Sequence, residues 1–135
     1  MKRRLAGKKA IHRYAMRRRV EDSPRPKLTA AQLAETPDIA HPIVRTHPYT
    51  GRKALYVTEG ECIGIEGMPE DEAVDLLDAL KHHATQEKYQ LRLEYGVGDV
   101  VIWDNASLLH SATLIDPNDA RTLWRITIKE TRRQA

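Results

Sequence analysis

The sequence predicts a mainly β protein of the α+β class, with short antiparallel strands and helices packed on them. Three observations lead there. Residues 41–57 hold two short β-type runs around Tyr49-Thr50-Gly51, a hairpin signal. From Tyr89 to Lys129 further apolar runs are separated by Gly, Asp and Asn breaks. Between these regions lies one strong helical pattern, so the chain reads helix, hairpin, helix and several strands.

Taken in order, residues 1–20 carry Leu5, Lys8/Lys9, His12 and Met16 at three-to-four spacing among good helix formers, which predicts a first helix. Its apolar stripe is thin, so it needs a partner surface, and Leu5, Ile11, Tyr14 or Met16 would make that contact. Ser23-Pro24-Arg25-Pro26 ends it, because proline lacks a donor and clashes with the preceding turn. Thr29 is an N-cap for a short helix over Ala30–Glu35. After the hairpin, Ile63–Glu66 reads as a brief strand. Pro69 opens a clear helix with Glu70, Asp71 and Glu72 in its first turn and Lys81, His82 and His83 in its last, which matches the helix dipole. Ala73, Leu76, Leu77, Leu80 and Ala84 give it one apolar face. Strands are then expected over 89–95, 100–103, 108–113 and 123–129, followed by a polar tail.

A chain of 135 residues, 41% hydrophobic and 30% charged, suits one domain with a modest core, built without any Phe. The single cysteine, Cys62, cannot form an internal disulfide, which points to a reducing compartment and a cytoplasmic location. No apolar run approaches membrane-spanning length, and no apolar segment follows the basic N-terminus as in a secretory signal. The net charge of +3 hides an asymmetry. Residues 1–27 hold eleven Lys/Arg against two acids, net +9, while residues 28–135 hold eleven against seventeen, net −6. The division is therefore a basic helical arm, 1–27, and an acidic body, 28–135. A basic arm suits nucleic acid or an anionic membrane, but His12 and Tyr14 are its only stacking platforms for bases, which favours a structural arm.

The most informative stretch is Gly98–Arg125. A histidine, His110, lies inside a strand-like run. A loop rich in Asp, Pro and Asn then leads to Arg121 and Arg125. A histidine among Leu108, Leu109 and Ala112 is more often a hydrogen-bonded core residue than a metal ligand, and arginines are more often surface residues. Strand alternation, however, puts residues 121, 123 and 125 on one face. Two guanidiniums on an inward face are costly without an anion to meet them, so the pair points to an anion site. His82 and His83 diverge by about 100° on a helix and read as solvated. His41 and His47 both precede proline, which turn punctuation explains most simply. Cys62 reads as a buried or half-buried thiol without the partners of a zinc site.

His41–Val57 (HPIVRTHPYTGRKALYV), the Trp103-Asp104-Asn105 element, and His110 followed after ten residues by Arg121 resemble the taurine dioxygenase family. These are non-haem Fe(II), 2-oxoglutarate-dependent oxygenases on a double-stranded β-helix, or jelly roll. The resemblance runs from roughly Ala10 to Lys129 and implies the C-terminal half of that fold, a partial jelly-roll domain over 28–135. It implies that His110 is the distal iron ligand and that Arg121 pairs with the distal carboxylate of 2-oxoglutarate. Arg125 would face the cavity and hold a small anionic substrate, a sulfonate or carboxylate, while Trp103 and Asn105 shape the approach. The residue types suit these roles, since imidazole binds Fe(II) and arginine grips carboxylates.

The family's other two iron ligands form a His-x-Asp/Glu pair. Two positions after His12, His41, His47, His82, His83 and His110 stand Tyr14, Ile43, Tyr49, Ala84, Thr85 and Ala112, none acidic. The expectation is therefore a truncated form, inactive alone, whose unpaired strand edges seek a second copy or a complementing N-terminal segment. The alternatives are a non-catalytic jelly-roll fragment that binds an anion or a partner protein, and a small nucleic-acid-binding protein using residues 1–27.

Overall fold

The computed structural model describes residues 1–14, 29–58, 60–114, 116, 118, 120 and 122–128. Residues 15–20 of the expected first helix, the proline break at 23–26, Arg121 and the polar tail lie outside them. In chain order the elements are α1 (Lys2–Leu5), β1 (Lys9–His12), α2 (Ala30–Glu35), β2 (Ile39–Pro42), β3 (Val44–Thr46), β4 (Lys53–Leu55), β5 (Cys62–Ile65) and α3 (Glu70–Ala84), then a 3-10 turn at Glu87–Tyr89.

The first departure from expectation is at the N-terminus. The helix stops after one turn, and Gly7 follows at φ +71°, a left-handed position that glycine adopts without strain. Residues 9–12 then form a strand, so this part of the expected helical arm is the middle of a sheet. β1 pairs antiparallel with β2 on one side (Ala10 opposite His41) and with β5 on the other (Ala10 opposite Ile65). Helix propensity is a weak prior, and two backbone ladders override it. Leu5 does pack as expected, at 4% exposure, but Tyr14 faces outward at 62%.

Ile43 joins the two sheets. It is fully buried, its N–H donates to the Lys8 carbonyl at 3.0 Å, and its carbonyl accepts from Tyr56 N–H at 2.8 Å. Ile43 thus keeps both of its backbone hydrogen bonds where the chain leaves the three-stranded sheet and enters the β3–β4 hairpin. Thr46 faces Lys53 across that hairpin. Its tip closes through His47 N–H to the Arg52 carbonyl at 2.8 Å, with Gly51 at φ +68°.

The two later helices follow local chemistry. At α2, Gln32 N–H donates to Thr29 Oγ1 at 3.3 Å, and the Gln32 side chain accepts from Thr29 N–H at 2.9 Å, a complete capping box. In α3 the acidic first turn and basic last turn stand as read, and Ala73, Val74, Leu76, Leu77 and Leu80 are buried. This face packs against β5 and closes the core with Leu5, Ala10, Ile43, Val57, Cys62 and Ile65. No polar side chain is buried among the described residues.

The four strands expected after Tyr89 do not form among the described residues. The architecture is therefore mixed helix and sheet rather than mainly β. A strand exists through its ladder, and these stretches meet none. Their apolar side chains stand in solvent: Leu91 at 82%, Ile102 at 88%, Trp124 at 96% and Ile128 at 91% exposure.

Candidate functional site

His110 is exposed and lies against Trp103, with ring centroids 4.7 Å apart and planes at 47°. Trp103 Nε1–H donates to Asn105 Oδ1 at 2.9 Å, so the Trp-Asp-Asn element is a local turn that presents an aromatic face to the imidazole. Asp104 organises this turn. It accepts from Ala106 N–H and from the Ser107 hydroxyl, and these donors, with His47, hold its carboxyl below the usual carboxylate range. Asp104 also reaches back to the hairpin, where His47 Nε2 lies 2.8 Å from its Oδ2. Arg125 is exposed, and the described residues around it, 122–128, form no strand. The expected partnership of Arg121 and Arg125 lies outside the described residues.

A second cluster was hidden from the sequence because its members lie far apart in it. His12 on β1 stacks on Tyr56 at 5.2 Å and meets His41 of β2 edge-on at 5.1 Å. Cys62 of β5 is fully buried, and its Sγ lies 3.5 Å from His12 Nε2. The Arg45 guanidinium sits 4.3 Å over the Tyr56 ring. Burial, then the charges of His41 and Arg45, push the His12 imidazole down to about 4. His41 is lowered by burial and by Arg45 as well.

The consequence for stability has a definite sign. Between pH 6.5 and about 4 the unfolded chain takes up a proton at His12 and the folded chain does not. Stability is fully present above 6.5 and is lost as pH falls through that window. After allowance for solvent around a half-buried ring, the loss is about 1–2 kcal/mol. His12→Phe keeps the stacking surface and removes the proton site. Urea midpoints at pH 7 and pH 4.5 should differ less for this variant than for the wild type, and an unchanged difference would place the acid sensitivity elsewhere.

The sequence matches the family described as "Taurine catabolism dioxygenase TauD, TfdA family" over residues 1–127. This chain belongs to that family. Among relatives, the alpha-ketoglutarate-dependent 2,4-dichlorophenoxyacetate dioxygenase of Burkholderia sp. (strain RASC) is 37% identical over 128 residues, which is 93% of this chain and 41% of the relative. The TauD, TfdA-family chain thus spans less than half the length of that enzyme. A Burkholderia xenovorans crystal structure assigned as an alpha-ketoglutarate dependent 2,4-D dioxygenase superposes with a TM-score of 0.63 at 27% identity, over 71% of this chain and 36% of the other. The structure of AAD-2 in complex with Mn(II) and N-oxalylglycine superposes with a TM-score of 0.56 at 26% identity, over 65% of this chain and 34% of AAD-2.

Relatives that depend on alpha-ketoglutarate raise the question of whether these residues fit a metal. Among the described residues no three His, Cys, Asp or Glu side chains converge where one ion would bridge them. His110 offers one imidazole next to an indole. A complete iron centre does not fit the described residues. No helix among them is long and apolar enough to cross a membrane.

Proposed function

We propose that this chain is the C-terminal part of an Fe(II)/2-oxoglutarate-dependent oxygenase that oxidises a small organic acid, a sulfonate or carboxylate. The observation that carries this reading is the family match through residue 127. In it, residues 28–135 are part of a jelly roll, to which the basic segment 1–27 contributes β1. His110 supplies one iron-binding imidazole. Arg121 meets the distal carboxylate of 2-oxoglutarate, and Arg125 meets the anionic substrate. The 2,4-dichlorophenoxyacetate relative supports a carboxylate as substrate class. The missing His-x-Asp pair comes from a complementing segment, and the exposed apolar side chains of residues 91–128 are the surface such a segment would cover. The lack of a three-ligand cluster among the described residues favours a second reading for this chain alone, anion binding without turnover.

The test is therefore a binding experiment. A charge-assisted contact between arginine and carboxylate contributes about 1.5–3 kcal/mol. Ligand that binds only the folded chain raises its melting temperature. Thermal shift with 2-oxoglutarate, with sulfate as a control anion, should show a modest rise for the wild type. Arg121→Ala should remove most of the 2-oxoglutarate response, and Arg125→Ala less of it. An Arg121→Ala protein that responds like the wild type would put the anion site elsewhere.

A further inference from the structure

The bonding around His47 determines where its proton sits. Nδ1 lies 3.2 Å from Tyr49 N and 3.1 Å from Thr50 N, and both backbone N–H groups point at it. A ring nitrogen that accepts two N–H groups carries no hydrogen of its own. The hydrogen of the neutral imidazole is therefore on Nε2, and Nε2–H donates to Asp104 Oδ2 at 2.8 Å. The His47 side chain is only 14% exposed, against 45% for Asp104. A hydrogen bond between two exposed, mobile side chains would contribute little. This pair differs, because each partner is fixed at its other end. His47 is held by the hairpin backbone, and Asp104 by Ala106 N–H at 2.9 Å and the Ser107 hydroxyl at 2.7 Å.

The contact joins positions 57 residues apart and ends one residue from Trp103, whose ring faces His110. We propose that His47 is a positioning residue: through Asp104 it anchors the 103–107 turn to the β3–β4 hairpin and so sets Trp103 against the imidazole of His110. The structural claim stands on these contacts alone. Its consequence for chemistry rests on the reading of His110 as an iron ligand given above.

The experiment is imidazole NMR on the full 135-residue chain labelled with ¹⁵N-histidine. His47 should appear as the neutral tautomer protonated at Nε2. The His110 ring protons should carry a ring-current displacement that Trp103→Leu abolishes. Asp104→Ala and His47→Gln should each abolish that displacement too, the double variant no more than either single one. Asp104→Asn, which keeps an acceptor oxygen, should retain part of it. Methyl signals of Ile43 and Leu77 report whether the core stays folded, which separates loss of positioning from loss of structure. A His47 ring protonated at Nδ1, or a His110 displacement that survives Asp104→Ala, would overturn the proposal. Mn(II) titration then separates the two readings. If Mn(II) fails to broaden His110 in the wild type, the ligand role falls while the ring displacement still decides the positioning. If it does broaden His110, Asp104→Ala should raise the midpoint.

Discussion

A variant lacking residues 1–12 should show no cooperative unfolding transition at all. The segment looks dispensable by composition, since it is short, basic and terminal. Its backbone, however, is the centre of the three-stranded sheet. Removing it takes away both ladders of β1 and leaves β2 and β5 each with an open edge. Two further bonds go with it, from Ile43 N–H to Lys8 and from Glu66 N–H to Lys9, both 3.0 Å. Ala10 and Leu5, at 0% and 4% exposure, leave the core. The β3–β4 hairpin would survive as the only paired strands among the described residues, and an isolated hairpin is marginal in water. The control is Lys2→Ala with Arg3→Ala in the intact chain, which removes exposed charge and keeps the strand. It should stay within about 0.5 kcal/mol of the wild type. Circular dichroism melts of the three proteins check this. A deletion variant that melts like the full chain would show that the sheet is not organised around β1.

That strand also shows where sequence reading stops. Ala, Arg and Lys at helical spacing are a local signal. The pairing that defeats it involves residues some 30 and 55 positions away, such as His41 and Ile65 opposite Ala10. One local cue was available, because Gly7 in a left-handed conformation is a standard helix stop. The elements that were legible are those whose determinants are local. Thr29 and Gln32 cap α2 from either side of one turn, and Pro69 with three acids opens α3. The hairpin was legible for the same reason, through Gly51. The runs after Tyr89 have strand-like composition, but a strand also needs a neighbour, and composition carries no information about one.

The site divides along the same line. The Trp-Asp-Asn turn and the His110 beside it lie within eight consecutive positions, and the sequence marks both. The His47–Asp104 contact spans 57 positions and the His12–Cys62 contact 50, so neither is visible to a local reading. His41 and His47 look alike in sequence, each followed by proline. The fold gives them different work. His41 faces the His12 ring on the sheet, while His47 spends both ring nitrogens fixing a turn to a distant loop.

The second large effect is expected at Leu77. The side chain is at 0% exposure on the face of α3 that meets β5, in one cluster with Ile43, Cys62 and Ile65. The core is small, so few neighbours can move to fill a void. Truncation to alanine loses the transfer free energy of the removed carbons and leaves a cavity, together about 2–5 kcal/mol. Against a typical domain stability of about 5–15 kcal/mol, that removes a large share of the folded population's margin. Two comparisons isolate the cause. Leu77→Met nearly conserves volume and should cost less than about 1.5 kcal/mol. Leu33→Ala makes the same chemical change on α2, where the side chain is 46% exposed and no residue is buried, and should cost a few tenths of that. Urea unfolding of the three variants, at constant slope, gives the differences directly. If Leu77→Ala costs no more than Leu33→Ala, the contact between α3 and β5 is not the core of this protein.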